Sequence, residues 1–130
     1  MDSGSIMVID DDAALLVFTS KYLTRLGYSV AAFRNGEEAW QQFNAAAADY
    51  SLVVIDLSMP GLSGAQLSRM MLTANRAVRL ILTSGYPFDT QKLLEAAPDR
   101  MAFLHKPFTP SMLAETVDRL IRAIPNNDAD

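Results

Sequence analysis

Three aspartates in a row, Asp10-Asp11-Asp12, stand directly behind the apolar run Ile6 to Ile9. A fourth, Asp56, closes the run SLVVID; Thr83-Ser84 follows the apolar residues of VRLILT, and Lys106 stands just past Met101 to Leu104. Neighbouring like charges repel, so the triplet needs a compensator. Carboxylates gathered closely stay ionised only beside an opposite charge; otherwise one of them takes up a proton. Because the available donors are carboxylate and carbonyl oxygens, the natural compensator is a hard divalent cation such as magnesium, manganese or calcium. The chemistry on offer is a cluster of acids with a hydroxyl and one amine, provided the fold brings these remote positions together.

The elements that must position them are legible from periodicity. Strands are expected at Ile6–Ile9, Tyr28–Phe33, Ser51–Asp56, Val78–Thr83 and Met101–Leu104. Between them, Leu15, Phe18, Tyr22 and Leu26 mark a helix over Ala13–Leu26, Trp40 and Phe43 one over Glu37–Ala48, and a Met- and Leu-rich segment one over Ala65–Asn75. A short helix over Asp89–Ala97 and a last one opening at Thr109-Pro110 and stopped by Pro125 complete the pattern. Strands alternating with helices imply a parallel sheet covered on both faces. The near-continuous apolar character of SLVVID suits a strand buried on both sides. In such sheets ligands bind beyond the carboxyl ends of the strands, where neighbouring chains run about 5 Å apart. Asp10 to Asp12, Asp56, Thr83-Ser84 and Lys106 all fall at that rim.

Bulk composition narrows the classes. The 130 residues suit one domain, and half of them are hydrophobic, enough for a core without staples. Cysteine is absent and His105 is the lone histidine, which excludes disulfides, thiolate metal sites and His-rich zinc sites and suits a cytoplasmic setting. The net charge of −4 argues against direct contact with nucleic acid. No apolar stretch reaches the roughly 20 residues of a membrane helix. Residues 1–5 are expected to be a disordered start or an expression scar, and residues 126–130 a flexible tail.

The order and spacing of Asp10-Asp11, Asp56 in VVIDLSMPGLSG, Thr83-Ser84 and Lys106-Pro107 in FLHKPF resemble the receiver domain of bacterial two-component response regulators, over residues 6–125. The resemblance implies a flavodoxin-like (βα)5 fold, a doubly wound five-stranded parallel sheet in the order 2-1-3-4-5. It implies that Asp56 accepts a phosphoryl group from a phosphohistidine of a sensor histidine kinase or histidine phosphotransfer protein. Asp11 and Asp56 would ligate Mg²⁺ directly, Asp10 through a bound water, and the backbone carbonyl of Ser58 would add a ligand. Thr83 would hydrogen-bond the phosphoryl group, Lys106 would pair with the carboxylate and then with the phosphoryl group, and Phe103 would be the switch aromatic. The Lys106-Pro107 peptide bond is often cis in this family. Output is expected from the face made by helix four, strand five and helix five, with a protein effector or a second copy as partner. The chain would catalyse only its own phosphorylation and dephosphorylation. These roles are physically coherent, since phosphoryl transfer asks the protein for in-line positioning and charge neutralisation rather than covalent work.

Blander readings stand beside these. Asp12 directly precedes a helix and suits its N-cap; Asp10 and Asp11 could cap too, and the other strand-end groups favour metal binding instead. Thr83 is a good strand former in its own right, Lys106 could be a solvated lysine, Phe103 a core residue, and His105 a packed or surface side chain. Gly61 and Gly64 imitate a phosphate-cradling loop, but neither GxxxxGK[ST] nor GxGxxG is present. An alternative is a haloacid-dehalogenase-type phosphatase, which needs a second acid two residues after its nucleophile; Ser58 occupies that position. A further alternative is a phosphorylation-independent pseudo-receiver that only binds partners.

Overall fold

The computed structural model describes residues 5–86 and 91–122. In chain order the elements are β1 (Ser5–Ile9), α1 (Ala13–Arg25), β2 (Ser29–Phe33), α2 (Gly36–Ala45), a 3₁₀ turn (Ala47–Asp49), β3 (Tyr50–Asp56), α3 (Gly64–Ala74), β4 (Arg79–Ser84), α4 (Gln91–Ala96), β5 (Met101–His105) and α5 (Pro110–Arg122). The strands form one parallel five-stranded sheet in the order β2-β1-β3-β4-β5. This is the doubly wound flavodoxin-like arrangement expected from the alternating pattern and the family resemblance.

Strand alternation divides the core between two faces. Met7, Ile9, Val53, Ile55, Leu80 and Leu82 pack with Phe43 of α2 and Leu67 and Met71 of α3. Ile6, Val8, Leu52, Val54 and Ile81 pack with Leu16 and Leu23 of α1 and Leu113, Val117 and Leu120 of α5. Each such side chain contributes about 1.5–3 kcal/mol through burial, and the double cover holds the sheet as a stiff plate. Register is regular except at one place: Ser5 pairs with Tyr50 but Ile6 with Leu52, a one-residue shift between β1 and β3.

Helices α1, α2 and α3 begin at the carboxyl rim of the sheet with side-chain caps, as does α5, where the Thr109 hydroxyl accepts from the Met112 amide at 3.1 Å. Asp12 accepts from the Leu15 amide, Asn35 from Glu38 and Ser63 from Gln66. Each satisfies a backbone donor that the first helical turn would leave unpaired. Gly27 follows the end of α1 with φ 106°, a left-handed conformation that costs glycine little.

Several boundaries differ from the sequence reading. Ser5 belongs to β1 rather than to a disordered start. The helix expected over Glu37–Ala48 ends at Ala45, because tertiary contacts overrule an alanine run of high helix propensity. The Asn75 side chain donates to the carbonyls of Ala47 and Tyr50 at 2.8 and 3.3 Å. The Tyr50 ring also stacks on Phe43 at 5.8 Å, turning the chain into β3. Strand β4 runs Arg79–Ser84 instead of Val78–Thr83, and β5 continues to His105, which pairs with Ser84. The expectations for residues 1–4 of the chain start, for the tail at 126–130, for Pro125 as a helix stop and for Asp89 as a helix start lie outside the described residues.

Candidate functional site

Each candidate side chain is delivered by the end of a strand. Asp10 follows β1, and its amide donates to the Phe33 carbonyl at 3.1 Å, so the strand's pairing continues up to the acid. Its side chain is buried and accepts from the Asp12 amide at 2.9 Å. Asp11 is exposed, and Asp12 is spent on capping α1. Asp56, the last residue of β3, is 3% exposed and lies in register with Thr83 of β4. The Leu57 amide donates to the Thr83 carbonyl at 2.8 Å, and the Lys106 amide to the Ser84 carbonyl at 2.8 Å. The Lys106–Pro107 peptide bond is cis.

These placements converge on one ammonium group. Lys106 Nζ lies 2.9 Å from Asp10 Oδ2 and 3.2 Å from Asp56 Oδ2. Instead of pairing with the Asp56 carboxylate alone, the lysine bridges two acids and sits nearer Asp10. The other Asp56 oxygen, Oδ1, accepts from the Ser58 amide at 2.9 Å and from the Ser58 hydroxyl at 2.8 Å. Burial pushes the Asp56 carboxyl up, but the two Ser58 donors and the Lys106 charge outweigh it and hold the group below its ordinary range. For Asp10, burial wins over the Asp12 amide and Lys106, and its carboxyl is held above the ordinary range. Burial pulls Lys106 down, yet Asp10 and then Asp56 more than offset that and raise it.

Asp10, Asp11 and Asp56 can each direct a carboxylate oxygen so that the three atoms lie within 4.8 Å of one another. One ammonium cannot neutralise three carboxylates, and the all-oxygen donor set fits a small, hard divalent cation such as Mg²⁺. The donor chemistry is that of the hard-cation class the sequence points to.

The remaining candidates sit on the same rim or just behind it. Thr83 is buried, and its hydroxyl meets the Ile55 carbonyl only at 3.5 Å, a long contact that leaves it loosely held. Ser84 is also buried, and its hydroxyl makes a local turn with the amide and carbonyl of Tyr86, both at 3.1 Å. Phe103 is half-buried against the α2–α3 side of the core, its ring 6.4 Å from that of exposed His105 in an edge-on arrangement. The sequence reading takes Ser58 as a carbonyl ligand and as the missing second acid, and passes over its hydroxyl as a partner of Asp56. An aspartate two residues before a serine is a local signal for this turn. It also passed over the closeness of Gly64 to Asp56, where a Cβ would lie 2.7 Å from the Asp56 carbonyl oxygen.

Residues 6–118 match the family model of the response regulator receiver domain. The chain belongs to that family. Receiver domains are signalling modules of two-component systems, and the relatives of this one fit that description. Chemotaxis protein CheY1 of Helicobacter pylori is 30% identical over 118 residues, covering 87% of this chain and 93% of CheY1. Protein PetR of Rhodobacter capsulatus is 31% identical over 92% of this chain and 49% of its own length. The receiver spans about half the length, or less, of several curated relatives it matches. Among solved structures, the response regulator protein TrrA from Thermotoga maritima, in complex with Mg(2+)-BeF, aligns with a TM-score of 0.79 at 28% identity, over 90% of this chain and 98% of that one. Among the described residues, no helix of the receiver is long and apolar enough to cross a membrane.

Proposed function

We propose that this receiver takes a phosphoryl group onto Asp56 from a phosphohistidine of a sensor histidine kinase or histidine phosphotransfer protein. The observation that carries the reading is the placement of Lys106 between Asp10 and Asp56, with the Asp11 carboxylate able to reach the same point. Asp56 supplies the attacking oxygen. As its O–P bond forms, the P–N bond to the donor imidazole breaks, the electron pair returns to the ring nitrogen and the phosphoryl group stays on the carboxylate as a mixed anhydride. The depressed pKa keeps Asp56 ionised, and therefore nucleophilic, at neutral pH. Lys106, charged throughout, turns from the carboxylate to the equatorial phosphoryl oxygens without leaving its place.

Asp11, Asp56 and the Ser58 carbonyl would hold Mg²⁺ directly and Asp10 through a water. Bound there, the ion supplies the positive charge that the transferring oxygens need. Thr83 is the residue to move next. Its weakly engaged hydroxyl swings to a phosphoryl oxygen, and Phe103 follows into the space it leaves. That motion biases the surface of α4, β5 and α5 toward a protein effector in the cytoplasm. The receiver domain, residues 6–125, acts on no substrate but itself.

The test is incubation with Mg²⁺ and acetyl phosphate, followed by mass measurement and mapping of the modified residue. A labile acyl phosphate at Asp56, absent in Asp56→Asn, is expected. Multiple turnovers on phosphorylated metabolites, or no metal-dependent modification, would overturn the reading.

A further inference from the structure

Ser58 hangs from the loop between β3 and α3, residues 57–63, and that loop is pinned from two sides. At its end, Gly64 is pressed onto the strand it follows: a Cβ there would lie 2.7 Å from the Asp56 carbonyl oxygen and 2.8 Å from Leu57 Cα. From the flank, Glu37 in the first turn of α2 reaches across 25 positions of sequence and accepts the Leu62 amide at 2.9 Å.

Two glycines make that reach possible. At Gly36 a Cβ would stand 3.0 Å from the Leu62 carbonyl oxygen, so a bare Cα lets the start of α2 lie against the loop. Gly61 takes φ +78°, and a Cβ there would be 3.1 Å from Glu37 Oε2. The left-handed turn thus presents the following amide to the carboxylate. Glu37 is not needed as the cap of its own helix, because Asn35 already accepts from Glu38 at 2.8 Å. Its carboxylate is directed instead at the loop, where Oε2 accepts the Leu62 amide.

We propose that Glu37 is a positioning residue for the site, latching the β3–α3 loop so that Ser58 is held against Asp56 and its carbonyl is ready for the metal. The inference rests on the reading of Asp56 as an Mg²⁺-dependent phosphoacceptor and goes beyond it by assigning a determinant of metal affinity that touches neither ion nor phosphoryl group. Without the latch, the loop must be ordered at the moment the ion binds. The ion then binds more weakly, while the step that follows, once the site is filled, is unchanged.

The experiment is calorimetric titration of the whole chain with Mg²⁺ for the wild type, Glu37→Ala, Glu37→Asp and Glu37→Gln. It is paired with the rate of modification by acetyl phosphate at saturating Mg²⁺. Glu37→Asp keeps the charge but draws the carboxylate back by one methylene, so it serves even if the alanine variant folds poorly. Glu37→Gln keeps an acceptor oxygen within reach of Leu62. Alanine and aspartate variants are expected to bind Mg²⁺ about threefold to tenfold more weakly, the glutamine variant within about twofold of wild type, and the saturated rates to agree. A merely structural role would not produce this split between affinity and rate. Unchanged Mg²⁺ affinity in both the alanine and aspartate variants overturns the latch alone, as does a glutamine variant as weak as alanine, which would mean that charge and not the latch matters. A wild-type chain that binds no Mg²⁺ overturns the phosphoacceptor reading together with it.

Discussion

The ammonium of Lys106 lies 2.9 Å from the carboxylate of Asp10, a residue 96 positions away in sequence. The same ammonium is 3.2 Å from Asp56, so a single positive charge serves two buried acids. Amine and metal ion therefore draw on the same pool of negative charge. In Lys106→Met, the competing cation is gone and Mg²⁺ is expected to bind severalfold more tightly. Phosphorylation of Asp56 by acetyl phosphate should nonetheless slow by about a hundredfold, the scale of losing one charged donor to a developing oxyanion. Calorimetry and a modification time course on the same variant check both halves, and weaker metal binding would refute the competition.

Acid titration should separate the two carboxylates. Burial holds Asp10 above the ordinary 3.8, whereas the Ser58 donors and Lys106 overcome burial and hold Asp56 below it. Asp56 thus adds stability that is complete above pH 3.8 and disappears as pH falls through its lower folded value. Asp10 acts in the opposite sense: ionising it costs more in the folded chain, so its contribution falls as pH rises from 3.8 through its higher folded value. In metal-free buffer, carboxyl-carbon NMR on lowering the pH should show Asp10 taking its proton first. The reverse order would mean that the bridge belongs mainly to Asp10.

Thr83→Val tests the switch apart from the chemistry. The hydroxyl makes only a 3.5 Å contact with the Ile55 carbonyl, so removing it should cost less than about 1 kcal/mol in urea denaturation. Asp56 should still be modified in the presence of Mg²⁺. The aromatic resonances of Phe103, expected to shift on modification of the wild type, should stay in place in the variant. A shift as large as in wild type would remove Thr83 from the switch.

Gly64→Ala addresses the close approach behind Asp56. The new methyl would meet backbone at 2.7 and 2.8 Å, where no side chain can move aside. A loss of about 1–3 kcal/mol in urea denaturation is expected, the usual range for overpacking. Displacement of Asp56 should slow modification by acetyl phosphate as well. Wild-type stability and rate would show that the loop yields without effect.

The sheet and the rim acids were legible because both depend on local pattern. Apolar runs of strand length ended at Asp56 and Thr83, and parallel pairing puts those two residues in register. Asp12 as a cap followed from its place before Ala13. What escaped depended on contacts that no spacing announces. The alanine run after Phe43 looked helical to Ala48, yet α2 ends at Ala45, and the Ala47 and Tyr50 carbonyls just beyond it are held by Asn75 from far along the chain. The sharing of Lys106 between two acids and the reach of Glu37 to Leu62 are likewise long-range, set by how elements pack and not by their own sequences.

The shifted pairing of Ser5 and Ile6 against β3 lies at the rim opposite the acids. It absorbs a surplus residue before the regular rungs from Ile6–Leu52 to Ile9–Ile55 begin. The irregular rung is thus kept away from the reactive end, where four unbroken rungs bring the ends of β1 and β3, and with them Asp10 and Asp56, out side by side.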